Sequence, residues 1–256
     1  PGTEATEPSE PSTEPTEPVK PEIEGVCPCH GLTVAQINEI TKANPADAKA
    51  WVNFDGTALA DGVHYRLNSD LTLTPSATSA IIMDDGQKCM LNLNGHNITV
   101  FVKGVSRRLV HMAENCQLTI CGNGEISGNG NGGGVIYMKT GSVFNLYDAT
   151  LTNSKVNGTA RGGVIVTEAP TAGEPITCIN MYSGTMNAGA HSGDGGCISL
   201  SAYGQLNMYG GTLNGTTNEI GKKGGALYTT ASTTVKSTMP GWRKPLPKWR
   251  TSTISV

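Results

Sequence analysis

Large apolar side chains and aromatic rings are scarce in this sequence of 256 residues. Hydrophobic residues make up 37% of the chain and aromatic residues 5%, which is little for a compact globular core. No run approaches the roughly 18 apolar residues that a membrane-spanning helix needs, so the sequence predicts no membrane insertion. The 18 basic and 21 acidic residues are nearly balanced, so the basic excess typical of nucleic-acid-binding domains is missing.

The seven cysteines include no Cys-x-x-Cys pair, the spacing typical of zinc and redox sites. The nearest approach to a metal motif is "CPCHG", which brings Cys27, Cys29 and His30 together. A fourth ligand is not evident, and tetrahedral zinc sites normally draw on two separated ligand pairs. The sequence therefore favours a local disulfide or free thiols, and it predicts neither a metal nor another cofactor.

The first 50 residues contain two segments of different character. Repeated "TEP" and "SEP" units predict that residues 1–26 are an extended linker rich in proline, glutamate and threonine. Residues 27–50 are interpreted as an N-terminal cap, because "LTVAQINEITKA" has helical periodicity and its Thr33 and Gln36 match a capping box. The chain opens with neither a signal peptide nor a methionine, so we expect a fragment of a longer protein.

Glycine is abundant, at 33 residues, and the chain from residue 51 aligns with itself. One series of segments contains "MLNLNGHNIT", "QLTICGNGEIS", "VFNLYDATLT", "CINMYSGTMN" and "QLNMYGGTLN". With Leu93, Ile120, Leu146, Met181 and Met208 as the common position, the steps are 27, 26, 35 and 27 residues. A second series, "GGVIYM", "GGVIVT", "GGCISL" and "GGALYT", keeps the same phase. Two series in one phase indicate a true structural repeat.

A unit of 26–27 residues with two strands suits one coil of a parallel β-helix, which we expect over residues 51–235. Alternate residues such as Leu206 and Met208 would fill a core shared between coils. The opposite parity places Tyr147, Tyr182 and Tyr209 in an exterior column. The glycines that follow these strands supply the positive φ that corners require.

These rungs resemble the right-handed parallel β-helix proteins of the pectate-lyase-like class. "LNLNGHNIT", "INMYSGT" and "LNMYGGT" are more similar to adhesin-like surface proteins of Gram-positive bacteria. The resemblance implies an extracellular, secreted or wall-associated location, and extracellular glycans or a host surface as partners. It also implies an alternative, a fragment of a carbohydrate-active lyase or hydrolase, although whether the chain is an enzyme stays open.

Candidate functional residues concentrate in the loops before each "GG" pair. These loops contain Arg161, His191 and Asp194, followed by Lys222 and Lys223. Loops in equivalent positions of successive coils should lie along one edge, where charged side chains on a rigid scaffold can bind a ligand. Because no acid–base constellation is evident, we predict a non-catalytic structural or glycan-binding protein. The tyrosine column is a second candidate sugar-binding surface, although stacking between coils is the simpler interpretation.

The last segment, residues 236–256, does not continue the repeat. Another rung begins at "STTV" and is followed by a basic stretch rich in proline and tryptophan. We interpret this tail as aberrant sequence that replaces a further coil, rather than as a nucleic-acid or membrane contact.

Overall fold

The computed structural model describes residues 24–56, 58–74, 79–100, 108–128, 134–155, 163–170, 173–190, 196–215, 225–230, 232–237 and 254–255. These residues form an all-β parallel solenoid with three sheets and a single short helix near the N-terminus. The predicted β-helix is therefore confirmed. No helix in the described part of the chain has both the length and the apolar character that crossing a membrane requires.

Among the described residues, each coil from residue 64 to residue 229 contributes one strand to each sheet, whereas residues 51–53 and 234–237 add strands to the first sheet alone. The first sheet contains β1 (Trp51–Asn53), β2 (His64–Arg66), β5 (Lys88–Asn92), β8 (Gln117–Cys121), β11 (Val143–Leu146), β14 (Cys178–Met181), β17 (Gln205–Met208) and β20 (Thr234–Ser237). The second contains β3 (Leu71–Leu73), β6 (Ile98–Val100), β9 (Glu125–Gly128), β12 (Thr150–Lys155), β15 (Thr185–Ala190) and β18 (Thr212–Asn214). The third contains β4 (Ser79–Met83), β7 (Arg108–Met112), β10 (Ile136–Met138), β13 (Ile165–Thr167), β16 (Ile198–Leu200) and β19 (Leu227–Thr229).

A continuous core runs along the axis, because successive strands pair in parallel and place equivalent side chains beside one another. In the first sheet, Phe144 pairs with Ile179 and Ile179 with Leu206, and all three side chains are buried. Fully burying a side chain of this size contributes about 1.5–3 kcal/mol. No single coil could bury these side chains alone, so the coils stabilise one another.

The predicted register is wrong at one step. The alignment of the repeats placed Leu93 beside Ile120, whereas the structure pairs Ile120 with Leu91, two positions earlier. The two extra residues lie in the connection between β6 and β7, because Leu73 pairs with Val100 at a separation of 27 residues whereas Ser79 pairs with Arg108 at a separation of 29. A shift of two residues keeps every side chain on its predicted face, which is why Leu93 is still buried.

Glycines at the corners serve two purposes, and Gly184 shows both. Its φ is 91°, in the left-handed region that side chains disfavour. A Cβ atom at this position would also collide with the carbonyl oxygen of Ala149 in the preceding coil. Gly211, in the equivalent position one coil later, has φ 98°. These corners confirm the role predicted for the glycines after the strands.

The N-terminal helix has the predicted start. Helix α1 (Val34–Ala43) begins with a capping box, in which the Thr33 side chain accepts from the Gln36 amide and the Gln36 side chain accepts from the Thr33 amide. Its buried residue, Ile37, packs in a cluster with Trp51 of β1. The helix is therefore fastened beside the first strand of the solenoid.

The cap segment (residues 24–50) also covers part of the exterior of the first sheet. Met90, Cys121 and Tyr147 lie on the outer parity of that sheet, yet all are buried in one cluster with Cys27 and Ile37. Tyr147 is only 5% exposed, so its predicted exterior column is covered by the cap at this end. The opposite end extends the predicted repeat as far as β20. A short strand β21 (Ile254–Ser255) pairs antiparallel with β18, and the rest of the tail lies outside the described residues.

Candidate functional site

The charged loop residues predicted from the sequence lie outside the described part of the chain: Arg161, His191, Asp194, Lys222 and Lys223. The strands on either side of these loops are described. Each loop connects a strand of the second sheet with the next strand of the third sheet, namely β12 to β13, β15 to β16 and β18 to β19. These connections start and end at one corner of the solenoid in successive coils. We call this the loop corner.

The three tyrosines of the predicted exterior column stack on one another. The rings of Tyr147 and Tyr182 are 4.3 Å apart and 5° from parallel, and those of Tyr182 and Tyr209 are 4.9 Å apart and 15° from parallel. Burial, followed by the charges of Tyr182 and neighbouring groups, raises the pKa of the Tyr147 phenol well above its ordinary value. Both faces of the Tyr182 ring are covered, so a sugar could stack only on Tyr209, which is 40% exposed.

Beside the tyrosines, polar side chains form a hydrogen-bonded ladder across the coils. The side-chain amide of Asn207 donates to Oδ1 of Asn180 at 2.8 Å, and that of Asn180 donates to Oδ1 of Asn145 at 2.9 Å. Asn145 donates to the Thr119 hydroxyl at 3.2 Å, and this hydroxyl donates to the Val26 carbonyl oxygen at 2.9 Å. The ladder thus runs from the coils into the cap segment. Because these polar groups hydrogen-bond to one another, this part of the outer face of the first sheet serves to stabilise the stacked coils.

The outer face of the third sheet has a different arrangement. The guanidinium carbon of Arg108 lies 3.3 Å from the centroid of the Tyr137 ring, which is a cation–π contact. His111 meets the same ring edge-on, at 5.4 Å and 85°. All three side chains are half-buried, and Arg108 is the first residue of β7, beside the loop corner. We call Arg108, His111 and Tyr137 the cation–aromatic patch.

The electrostatics of this patch favour a neutral imidazole beside a fixed cation. Burial, followed by the charges of Arg108 and Lys139, lowers the pKa of His111. Burial also lowers the pKa of Arg108, against the raising effects of Tyr137 and Glu168. The Arg108 Nε atom is buried and has no hydrogen-bond partner within the described residues. The guanidinium also shares a hydrogen bond with Tyr137, so an anionic ligand would pair with the N–H groups that remain.

The sequence repeats do not reveal this patch. Tyr137 stands at an exterior position of "GGVIYM", but Arg108 belongs to "SRRLVHM", which does not repeat the "GG" signature. Alternation with a period of two would place Arg108 on the same face as the buried Val110 and Met112, so the sequence pattern gave no signal for this residue. The contact itself depends on the lateral pairing of β7 with β10, which places His111 beside Tyr137.

A second cluster of reactive side chains lies under the cap segment. The structure joins Cys27 and Cys29 in a disulfide, one of the two alternatives that the sequence favoured. His30 lies next to them, and His64 of β2 completes a group of four potential metal ligands. The sequence did not reveal His64 as the fourth potential ligand of this group.

The fold defines the chain as a three-sheet parallel β-solenoid protein with a short helix near its N-terminus. No protein-family model, no curated protein and no solved structure matches the chain.

Proposed function

We propose that the chain belongs to an extracellular, adhesin-like surface protein, in which a rigid β-solenoid presents a binding surface for acidic glycans. The observation that carries this proposal is the cation–aromatic patch beside the loop corner. Its Arg108 guanidinium is held against the Tyr137 ring at 3.3 Å, so that its planar N–H edge has a fixed direction. A carboxylate is the group that such an edge pairs with best, through two parallel hydrogen bonds.

The rest of the patch suits a sugar. Tyr137 and His111 add aromatic surface, and their side-chain polar atoms can exchange hydrogen bonds with hydroxyl groups. A neutral His111 can both donate and accept, because burial and nearby cations lower its pKa. A uronate residue, with one carboxylate and several hydroxyls, matches this combination. The charged loops attached to the same corner would extend the contact to further sugars.

Two features support the extracellular location. The Cys27–Cys29 disulfide fits an oxidising compartment. The rung sequences and the threonine–glutamate–proline linker are also similar to those of wall-associated proteins of Gram-positive bacteria. In such a protein the solenoid would hold its binding surface away from the cell, and the tyrosine and asparagine ladders would keep it rigid.

The test is a binding measurement on a panel of uronate-containing and neutral glycans. We expect the intact chain to bind a uronate glycan, and Arg108→Ala or Tyr137→Ala to weaken that binding at least about tenfold, equivalent to about 1.4 kcal/mol. Lys88→Ala is the matched control, because Lys88 is an exposed cation on the first sheet. It should bind as the unmodified chain does.

Two results would overturn the proposal. One is the absence of uronate binding, or binding that both patch variants retain in full. The other is the release of unsaturated uronate products from the glycans, detected by their ultraviolet absorbance, which would show a lyase instead of a binding protein.

A further inference from the structure

Four potential metal ligands converge where the cap segment meets the first sheet. The ligand atoms of Cys27, Cys29, His30 and His64 all lie within 4.8 Å of one another. His64 Nε2 is 2.9 Å from Cys27 Sγ and 3.2 Å from His30 Nδ1. A tetrahedral zinc ion, with bonds of about 2.3 Å to sulfur and 2.0–2.1 Å to nitrogen, separates its ligand atoms by about 3.3–3.8 Å. Small side-chain rotations would bring the four atoms to those separations.

The orientation of His64 is set by its second ring nitrogen. Nδ1 lies 2.8 Å from the carbonyl oxygen of Lys49, and because a carbonyl only accepts, Nδ1 carries the proton. The lone pair is therefore on Nε2, which faces Cys27 and His30. Metal-bound histidines in proteins are held in this way, by a hydrogen bond from the other ring nitrogen. His64 is fully buried, with the Trp51 ring edge-on at 6.0 Å, so its position is fixed.

The turn that contains the cysteines directs backbone N–H groups at a sulfur atom, an arrangement that favours a negatively charged thiolate. The backbone amides of Cys29 and His30 both point at Cys27 Sγ, each at 3.1 Å. The turn is closed by two backbone hydrogen bonds, from Gly31 to Cys27 and from Cys27 to Leu32. Amide donors stabilise a thiolate, whereas a disulfide sulfur carries no charge for them to stabilise.

We propose that, once Cys27 and Cys29 are reduced, they form with His30 and His64 a tetrahedral zinc site that clamps the cap segment to the first sheet. Two sulfur and two imidazole ligands in this arrangement favour Zn²⁺ over harder cations. Three ligands come from one turn and the fourth from β2, so the ion would cross-link the cap to the solenoid. His30 is exposed and offers the ion a route to the buried members of the site.

Zinc and the disulfide are alternative states of the same cysteine pair. A phosphine reductant breaks the S–S bond: with one water molecule it becomes the phosphine oxide, and both sulfur atoms become thiols. Zn²⁺ then displaces the two thiol protons, which pass to the solvent. This inference does not depend on the glycan-binding proposal.

The test uses the intact chain, reduced with a phosphine and freed of reagent without air, and titrated with Co²⁺ as a spectroscopic substitute for zinc. We expect one Co²⁺ per chain, with the visible absorption of a tetrahedral site and thiolate-to-cobalt charge transfer. One equivalent of Zn²⁺ should displace it. Cys27→Ser combined with Cys29→Ser should remove the charge-transfer absorption.

The decisive variant is His30→Asn, since His30 is exposed and its loss leaves the packed interior intact. We expect at least about 100-fold weaker Co²⁺ binding, beyond the roughly 10- to 100-fold that loss of a second-shell partner costs. Circular dichroism would verify that the variant keeps its fold. His96→Asn and Cys178→Ser, whose residues lie outside the cluster, are the matched controls and should bind normally. The proposal fails if the reduced chain binds no Co²⁺, if binding lacks charge transfer, or if His30→Asn binds with unchanged affinity.

Discussion

The tyrosine column can be tested directly for a stabilising role as opposed to a sugar-binding role. Tyr182 stacks on Tyr147 on one side and on Tyr209 on the other, whereas Tyr209 stacks only on Tyr182 among the described residues. An aromatic pair contributes about 0.5–1.5 kcal/mol beyond the area it buries. Tyr182→Ala removes two such pairs and should lower the free energy of unfolding by about 1–3 kcal/mol beyond the lost area. Tyr209→Ala removes one pair and should cost about half as much.

The assay is urea unfolding followed by circular dichroism, with the midpoint and slope compared between variants. Tyr203→Ala is the control, since Tyr203 is 48% exposed and stands outside the stack, and alanine adopts its positive φ of 59° at no greater steric cost than tyrosine. It should change the stability by no more than about 0.5 kcal/mol. The reasoning is refuted if the Tyr182 variant is no less stable than the Tyr203 variant. A stabilising role also predicts that Tyr182→Ala leaves uronate binding unchanged.

Two further predictions concern the corners and the thiols. Gly86→Ala should cost about 1–2 kcal/mol for its positive φ alone, because a Cβ there meets no atom within 4 Å. Gly184→Ala should cost more at a similar φ, because its Cβ also collides with the backbone of Ala149, and equal losses would contradict this account. Burial raises the pKa of the Cys116 thiol to about 11, so below that pH it stays protonated as well as enclosed. Alkylation of the native chain near pH 8 should therefore label the half-buried Cys178 first, with Cys116 protected until unfolding, as peptide mapping would show.

Much of the solenoid could be predicted from the sequence because its determinants are local. Alternation with a period of two indicates which side chains point inward, and glycine indicates the corners. One repeat of about 27 residues is therefore enough to predict one coil. The helix start at Thr33 was readable for the same reason, since a capping box spans only four residues. The register of Leu91 could not be predicted, because the length of the connection between β6 and β7 decides it and a shift of two residues leaves the hydrophobic pattern unchanged.

The two candidate sites depend on contacts between segments that are distant in the sequence, and only the tertiary structure decided these contacts. The motif "CPCHG" indicated three potential ligands, but His64 lies in a separate strand. It approaches the other three because the cap segment folds back over the first sheet. In the same way, Arg108 and Tyr137 meet because β7 and β10 pair laterally. The sequence by itself determined the coil, since each coil repeats the same short-range pattern. Which distant residues become neighbours was decided by the stacking of the coils and by the path of the cap segment. Short-range sequence patterns contain no information about either.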